Sequence, residues 1–126
     1  MKKRTQVAAL MVAFGCGMAV NWALAQIVAA PDPLVVAPAH YKVRFENERV
    51  RVLEGFDAPG EKIAMHGHPD TIMVGLSSFK RKLILGNGRV IETESKPGDV
   101  RWMPKQSHAG ENIGDTETRA LFIEFK

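Results

Sequence analysis

Phe79-Lys80-Arg81-Lys82-Leu83-Ile84-Leu85-Gly86-Asn87-Gly88-Arg89-Val90-Ile91-Glu92-Thr93 is the stretch that decides the fold. Two runs of alternating apolar and polar residues flank Asn87-Gly88, the dipeptide that most readily takes the positive φ angles of a tight hairpin. The reading joins Lys82–Leu85 to Arg89–Thr93 across that turn. Outward from it the same grammar repeats. Thr71–Leu76 reads as a strand, placed as the hairpin partner of Phe79–Leu85 across Ser77-Ser78. Lys96-Pro97-Gly98-Asp99 is a turn, Val100–Met103 a short strand, and Arg119–Phe125 the last one, with Leu121, Ile123 and Phe125 alternating with Phe122 and Glu124. On the other side, Tyr41–Phe45 and Val50–Phe56 are strands turned at Glu46-Asn47-Glu48, with Val50, Val52 and Glu54 on one face. Asp57-Ala58-Pro59-Gly60 turns the chain into a strand that begins at Glu61. No helical period persists over ten residues, so the chain reads as all-β, a small barrel or a sandwich.

The first 39 residues do not share this pattern. Lys2, Lys3 and Arg4 precede an apolar run from Val7 to Val20, and Ala23-Leu24-Ala25 then offers small residues at a cleavage site. That order is a secretory signal, and the run is short for a membrane span of about 20 residues. We therefore read 1–25 as a signal peptide, 26–39 as a Pro/Ala-rich leader that is extended or loosely attached, and 40–126 as the folded domain. An uncleaved anchor is the alternative; a lipid attached at Cys16 is disfavoured by Phe14 and by the cleavage site it would leave unused. The expected location is the periplasm or the exterior, with no membrane association after cleavage.

Cleavage changes the inventory. The formal charge is +3, from 17 basic and 14 acidic residues. Lys2, Lys3 and Arg4 carry that whole surplus, so the mature chain is neutral and has no basic excess with which to bind nucleic acid. The single cysteine, Cys16, leaves with the signal, which removes disulfides and thiol catalysis from consideration. A domain of this size must stand on its hydrophobic core, and pairing would help it.

Three of the four histidines are candidate metal ligands. His66 and His68 stand two apart in an expected strand, so both leave on one face. His108 follows the Val100–Met103 strand, and a barrel would return it to that pair. Imidazole serves Fe, Zn, Ni and Cu alike, so spacing does not select an ion. By spacing alone, the HxH pair is a weak signal, and two histidines beside Gly67 and Pro69 are more often ordinary surface or loop residues. His40, at the edge of the Pro-rich leader, is expected to face solvent.

Gly60-Glu61-Lys62-Ile63-Ala64-Met65-His66-Gly67-His68 resembles the first motif of the cupin family, a glycine followed by an HxH pair. Gly98 through Asn112, with Gly98, Pro104, His108 and Asn112 in order, resembles the second. The resemblance covers most of 41–126. It implies a small cupin-type β-barrel (double-stranded β-helix, or jelly roll) with His66, His68 and His108 as ligands of a divalent ion: Fe, Mn, Ni or Zn. Two departures stand out. The glutamate usual in the first motif is replaced by Ile72, followed by Met73. In the second motif Gln106 takes a glycine position, and the step to His108 is one residue short.

Some cupin dioxygenases, the thiol and gentisate types among them, hold ferrous iron on three histidines alone. The resemblance thus implies an oxygenase-like activity on a small polar or anionic molecule. The alternative is a non-enzymatic cupin that binds a small molecule or serves structurally, without a functional metal. Asp70 is the nearest carboxylate to the HxH pair and a candidate substitute ligand, although a turn aspartate is the ordinary reading. Tyr41, the single tyrosine, is a candidate acid or a packing residue. Phe79 and Trp102 are expected in the core or pocket wall, and Met65, Met73 and Met103 in the core. Arg101, if it faces the lumen, argues for a carboxylate ligand. A homodimer paired through terminal strands is expected.

Overall fold

Alternation becomes structure along most of the chain. The computed structural model describes residues 29–126, and the expected signal peptide 1–25 lies outside the described residues. A single helical turn, α1 (Pro33–Val36), precedes nine strands: β1 (Tyr41–Glu46), β2 (Val50–Asp57), β3 (Lys62–His68), β4 (Thr71–Gly75), β5 (Phe79–Leu85), β6 (Val90–Ser95), β7 (Val100–Met103), β8 (Gln106–Asn112) and β9 (Thr118–Phe125). The Asn87-Gly88 hairpin joins β5 to β6 as expected, with Gly88 at φ 84° and the Asn87 side chain accepting from the Arg89 amide at 3.0 Å.

The expected closed barrel is not what forms. The strands make two separate antiparallel sheets, one in the order β1-β2-β9-β4-β7 and the other β3-β8-β5-β6, and no ladder joins them among the described residues. The architecture is cupin-like, with two facing sheets and open seams. Something other than strand pairing fills each seam. On one side the edge of β3 gives its Gly67 amide to Pro31 O at 2.9 Å, so the segment before α1 occupies the place a pairing strand would take. On the other side Arg101 of β7 reaches β6 through Thr93 Oγ1 and Glu94 O, a side-chain link instead of a backbone ladder.

The same finding corrects the expected Thr71–Leu76/Phe79–Leu85 hairpin. β4 pairs with β7 and β9, whereas β5 belongs to the opposite sheet. Ser77 is tied to β9, donating from Oγ to Glu117 O at 2.8 Å and accepting from the Arg119 amide at 2.8 Å. Ser77-Ser78 is therefore a crossover between sheets, and a serine pair can serve either purpose. The second half of the leader is also more than a loose edge. Pro33 and Ala37 are buried, Asp32 caps α1 at the Leu34 amide (2.9 Å), and Leu34 and Val36 pack on the cluster of Tyr41, Leu53 and Ile63. Met73, Phe79 and Ala120 form a second cluster, and Phe122 touches both.

Candidate metal centre

The site stands on β3 and β8, neighbours in the four-stranded sheet. His66 and His108 are directly paired across the ladder, and His68 is two residues further along β3 on the same inward face. The sequence reading placed His108 after a strand; it lies within one, because polar Gln106-Ser107 and small Ala109-Gly110 conceal the alternation of β8. All three rings are buried, with potential ligand atoms within 4.8 Å of one another. Ring centroids are 4.9 Å apart for His66–His68, 4.8 Å for His66–His108 and 5.3 Å for His68–His108.

The hydrogen bonds on each Nδ1 decide which nitrogen is free. His66 Nδ1 donates to Ala64 O at 2.8 Å, His68 Nδ1 to Glu124 Oε1 at 2.7 Å, and His108 Nδ1 to the Gln106 amide oxygen at 3.3 Å. Each ring then carries its lone pair on Nε2, the arrangement a ligating imidazole needs. The Nε2 of His68 is buried and has no partner among the described residues. That of His66 accepts from the Tyr41 hydroxyl at 3.0 Å. Burial pushes His66 down to about 4, with the neighbouring His68 adding to the shift. Burial followed by repulsion from His66 and His68 pushes His108 down to about 3. Two of the three rings are thus neutral donors near pH 7, and an orphaned lone pair faces them. The donor set fits a divalent ion.

The sequence reading missed the carboxylate that supports this site. Glu124 is 2 % exposed on β9, with Oε1 on His68 and Oε2 accepting from Arg51 Nε at 2.7 Å. Arg51 in turn pairs with Asp32 at 2.7 Å, so a chain of charges runs from the segment before α1 to the histidines. The sequence signal was present: Glu124 shares the parity of Phe122 and Ala120, both of which face inward. Phe122 lies against the His68 ring, with centroids 5.1 Å apart and planes 14° apart. Tyr41 also belongs to the site, and burial raises its hydroxyl well above the ordinary tyrosine range.

Other candidates fall outside it. Ile72 is paired with Trp102 and Ile123 in the five-stranded sheet, and its inward neighbour is Met73, so β4 supplies no carboxylate. Asp70 is an exposed turn residue that accepts from the Lys105 amide at 2.8 Å. His40 bonds Phe56 O at 3.1 Å and lies apart from the three. Trp102, expected in the core or pocket wall, is 58 % exposed on the opposite face of β7 from Arg101.

Beside the histidines a cavity of about 60 Å3 opens between the sheets, bounded by Tyr41, His108, Asp57, Arg81, Arg101 and the apolar Phe79–Met73–Met103 wall. Arg101 therefore does face the lumen. Arg81 does too: the run Lys80-Arg81-Lys82 alternates, and its middle residue is the inward one, bonded to Asp57 and to Thr118 Oγ1 at 3.1 Å. The wall thus carries two guanidiniums against one carboxylate.

No family model matches the chain, and no curated protein sequence matches it. Among solved structures it is similar to a cupin domain from Bordetella pertussis Tohama I, at 28% identity and a TM-score of 0.63 over 68% of this chain and 91% of that one. It is also similar to a double-stranded β-helix protein from Klebsiella pneumoniae, at 28% identity and a TM-score of 0.53 over 66% of this chain and 72% of that one. A polyketide cyclase from Streptomyces resistomycificus matches at 18% identity and a TM-score of 0.52, over 68% of this chain and 63% of the cyclase, a likeness of fold alone.

Proposed function

We propose that this small single-domain protein of the cupin superfamily holds a divalent ion on His66, His68 and His108 and acts on a small polar or anionic molecule seated between its sheets, in an oxygenase type of reaction. The observation that carries the reading is the convergence of three buried imidazoles whose Nε2 atoms hold the lone pairs, that of His68 being buried without a partner among the described residues. Held by His66, His68 and His108, a divalent ion would keep most of its charge and would supply the Lewis-acid and redox chemistry that such a reaction requires.

The protein's own groups have separable tasks in this account. Arg81 and Arg101 attract an anion into the cavity, and Asp57 holds the Arg81 guanidinium in place. Phe79, Met73 and Met103 exclude water from one wall. Tyr41, held neutral by burial, keeps a proton at Oη, 3.0 Å from His66 Nε2, and can deliver it to a basic atom of a bound substrate. Glu124 positions His68 by accepting its Nδ1 proton.

Export is part of the proposal, with 1–25 as the signal and the periplasm or exterior as the destination. Among the described residues, no helix is long and apolar enough to cross a membrane. A homodimer is also proposed. Val100, Trp102 and Phe125 are exposed at 65 %, 58 % and 39 %, an apolar surface that a second copy would cover. Sedimentation at the mass of a monomer across micromolar concentrations would remove the dimer.

The alternative, a small-molecule-binding or structural module without a functional metal, draws on one observation: the Tyr41 hydroxyl already satisfies the His66 lone pair. Oxygen uptake by Fe(II)-reconstituted protein, measured over a panel of small carboxylates, separates the two. Uptake dependent on both His66 and Tyr41 supports the enzyme, and protein that takes up no metal, or takes up metal without oxygen uptake across the panel, supports the module.

A further inference from the structure

A strap of leader sequence lies along the edge of β3, and one of its carboxylates is linked to the histidines. Pro31 O accepts from the amide of Gly67, the residue between His66 and His68, at 2.9 Å. Glycine permits this approach: an added Cβ at Gly67 would lie 3.1 Å from Ala30 O and 3.2 Å from Ala30 Cβ. Further along, Pro33 and Ala37 are buried, and Leu34 and Val36 pack on the cluster of Tyr41, Leu53 and Ile63. A lone helical turn does not hold itself in water, so α1 exists because it is docked. Asp32 acts in two directions from this strap. Its Oδ1 caps α1 at the Leu34 amide, 2.9 Å away, and its Oδ2 accepts from Arg51 Nη2 at 2.7 Å. Arg51 donates onward to Glu124 Oε2, and Glu124 Oε1 accepts from His68 Nδ1 at 2.7 Å. Arg51 is mostly buried and Glu124 and His68 almost entirely so, and water screens these charges poorly.

We infer that the strap 30–37 is part of the metal centre, and that Asp32 is a positioning residue for His68, acting through Arg51 and Glu124. One cation is shared between two carboxylates. With Asp32 in place, the Arg51 guanidinium divides its hydrogen bonds, and Glu124 stays basic enough to hold the Nδ1 proton of His68. The lone pair of His68 then sits on Nε2, where an ion needs it. Without the Asp32 charge the guanidinium turns wholly to Glu124. That carboxylate becomes a weaker acceptor for the Nδ1 proton, and the tautomer of His68 is less firmly set. This role rests on reading the three histidines as metal ligands, and it adds a residue from the leader, outside both resembled motifs.

The test is zinc titration against a competing chelator, with nitrogen NMR of the His68 ring in the metal-free samples. The proteins are the mature wild type, Asp32→Asn, Asp32→Glu, Glu124→Gln and the Asp32→Asn, Glu124→Gln double variant. Asparagine caps a helix as well as aspartate does, so Asp32→Asn keeps α1 capped and removes only the charge. Zinc affinity should fall about three- to tenfold, less than the 10–100-fold of a residue that bonds the ligand directly, and the Nδ1-protonated form of His68 should lose population. Asp32→Glu should recover at least half of the loss. In the Glu124→Gln background the relay is already broken, and Asp32→Asn should change zinc affinity less than twofold. Zinc affinity of Asp32→Asn within twofold of wild type, or an equal loss in both backgrounds, overturns the inference and leaves the metal reading in place. A wild type that binds no zinc, while Asp32→Asn still shifts the His68 tautomer, sinks the metal reading and keeps the link from Asp32 to His68. No zinc and no shift remove both.

Discussion

Replacing Glu124 by glutamine keeps the shape of the side chain and removes its charge, which isolates what the carboxylate does for His68. Glu124 is 2 % exposed, and its two oxygens are engaged by His68 Nδ1 at 2.7 Å and by Arg51 at 2.6–2.7 Å. Glutamine has one acceptor oxygen for these two partners. If its oxygen faces His68, its amide protons face the guanidinium. If its oxygen faces Arg51, its amide protons face the Nδ1 proton, and the ring relieves the conflict by moving that proton to Nε2, the nitrogen needed for a metal. Loss of such an outer partner costs about 10–100-fold in metal affinity. That factor corresponds to about 1.4–2.7 kcal/mol. Metal-free stability should fall less than the roughly 3–5 kcal/mol of a fully stranded buried charge, because Arg51 retains Asp32 at 2.7 Å. The assay is zinc titration against a competing chelator, with chemical denaturation of the metal-free protein in parallel. Zinc affinity within twofold of wild type in a folded variant would refute the reasoning.

Tyr41→Phe removes the hydroxyl from His66 Nε2 while keeping the ring, so zinc affinity should hold or rise and oxygen uptake should fall by at least tenfold; a loss of zinc would contradict the role given to Tyr41. At Gly55 an added Cβ would lie 2.8 Å from Phe122 Cε2 and 3.1 Å from Tyr41 Cε1, so Gly55→Ala should cost about 1–3 kcal/mol by urea denaturation and weaken zinc binding with it. Unchanged stability would mean that the two rings move without penalty. His66 and His108 sit at about 4 and about 3 in the folded chain, below the ordinary 6.5, so the unfolded chain binds more protons in the interval between. Their contribution to metal-free stability is present above about pH 6.5 and is lost as pH falls toward 4 and then 3. Urea midpoints should decline over that window, less so in a folded His66→Gln, His108→Gln double variant; equal slopes would contradict the assignment.

The sequence carried the histidines and the hairpin because both are local signals. His66 and His68 share a face through a period of two, and Asn87-Gly88 sets its own turn. What it carried poorly depends on which strands meet. Ser77-Ser78 has the composition of a hairpin turn, yet the chain there is held to β9 and crosses to the other sheet, a fact fixed by partners forty residues away. Closure was misjudged for a related reason. The peptide before α1 and the Arg101 side chain fill the seams, and neither role is visible in a strand pattern. Glu124 and Arg81 look like ordinary surface charges by type. Only their parity with inward neighbours marked them, and that parity matters once β9 and β5 are known to face the cavity. Strand β8 escaped because its inward residues are Gln106, His108, Gly110 and Asn112, which bear no apolar stripe.

The most direct test of the account is the metal content of residues 26–126, purified without chelator and compared with a His66→Ala, His108→Ala double variant. Both proteins should be assayed again after reconstitution with Fe(II), Mn(II), Ni(II) and Zn(II). The account predicts about one ion per chain in the wild type and none in a folded double variant. A folded wild-type protein that takes up no metal even after reconstitution, or a double variant that retains its ion, would contradict it.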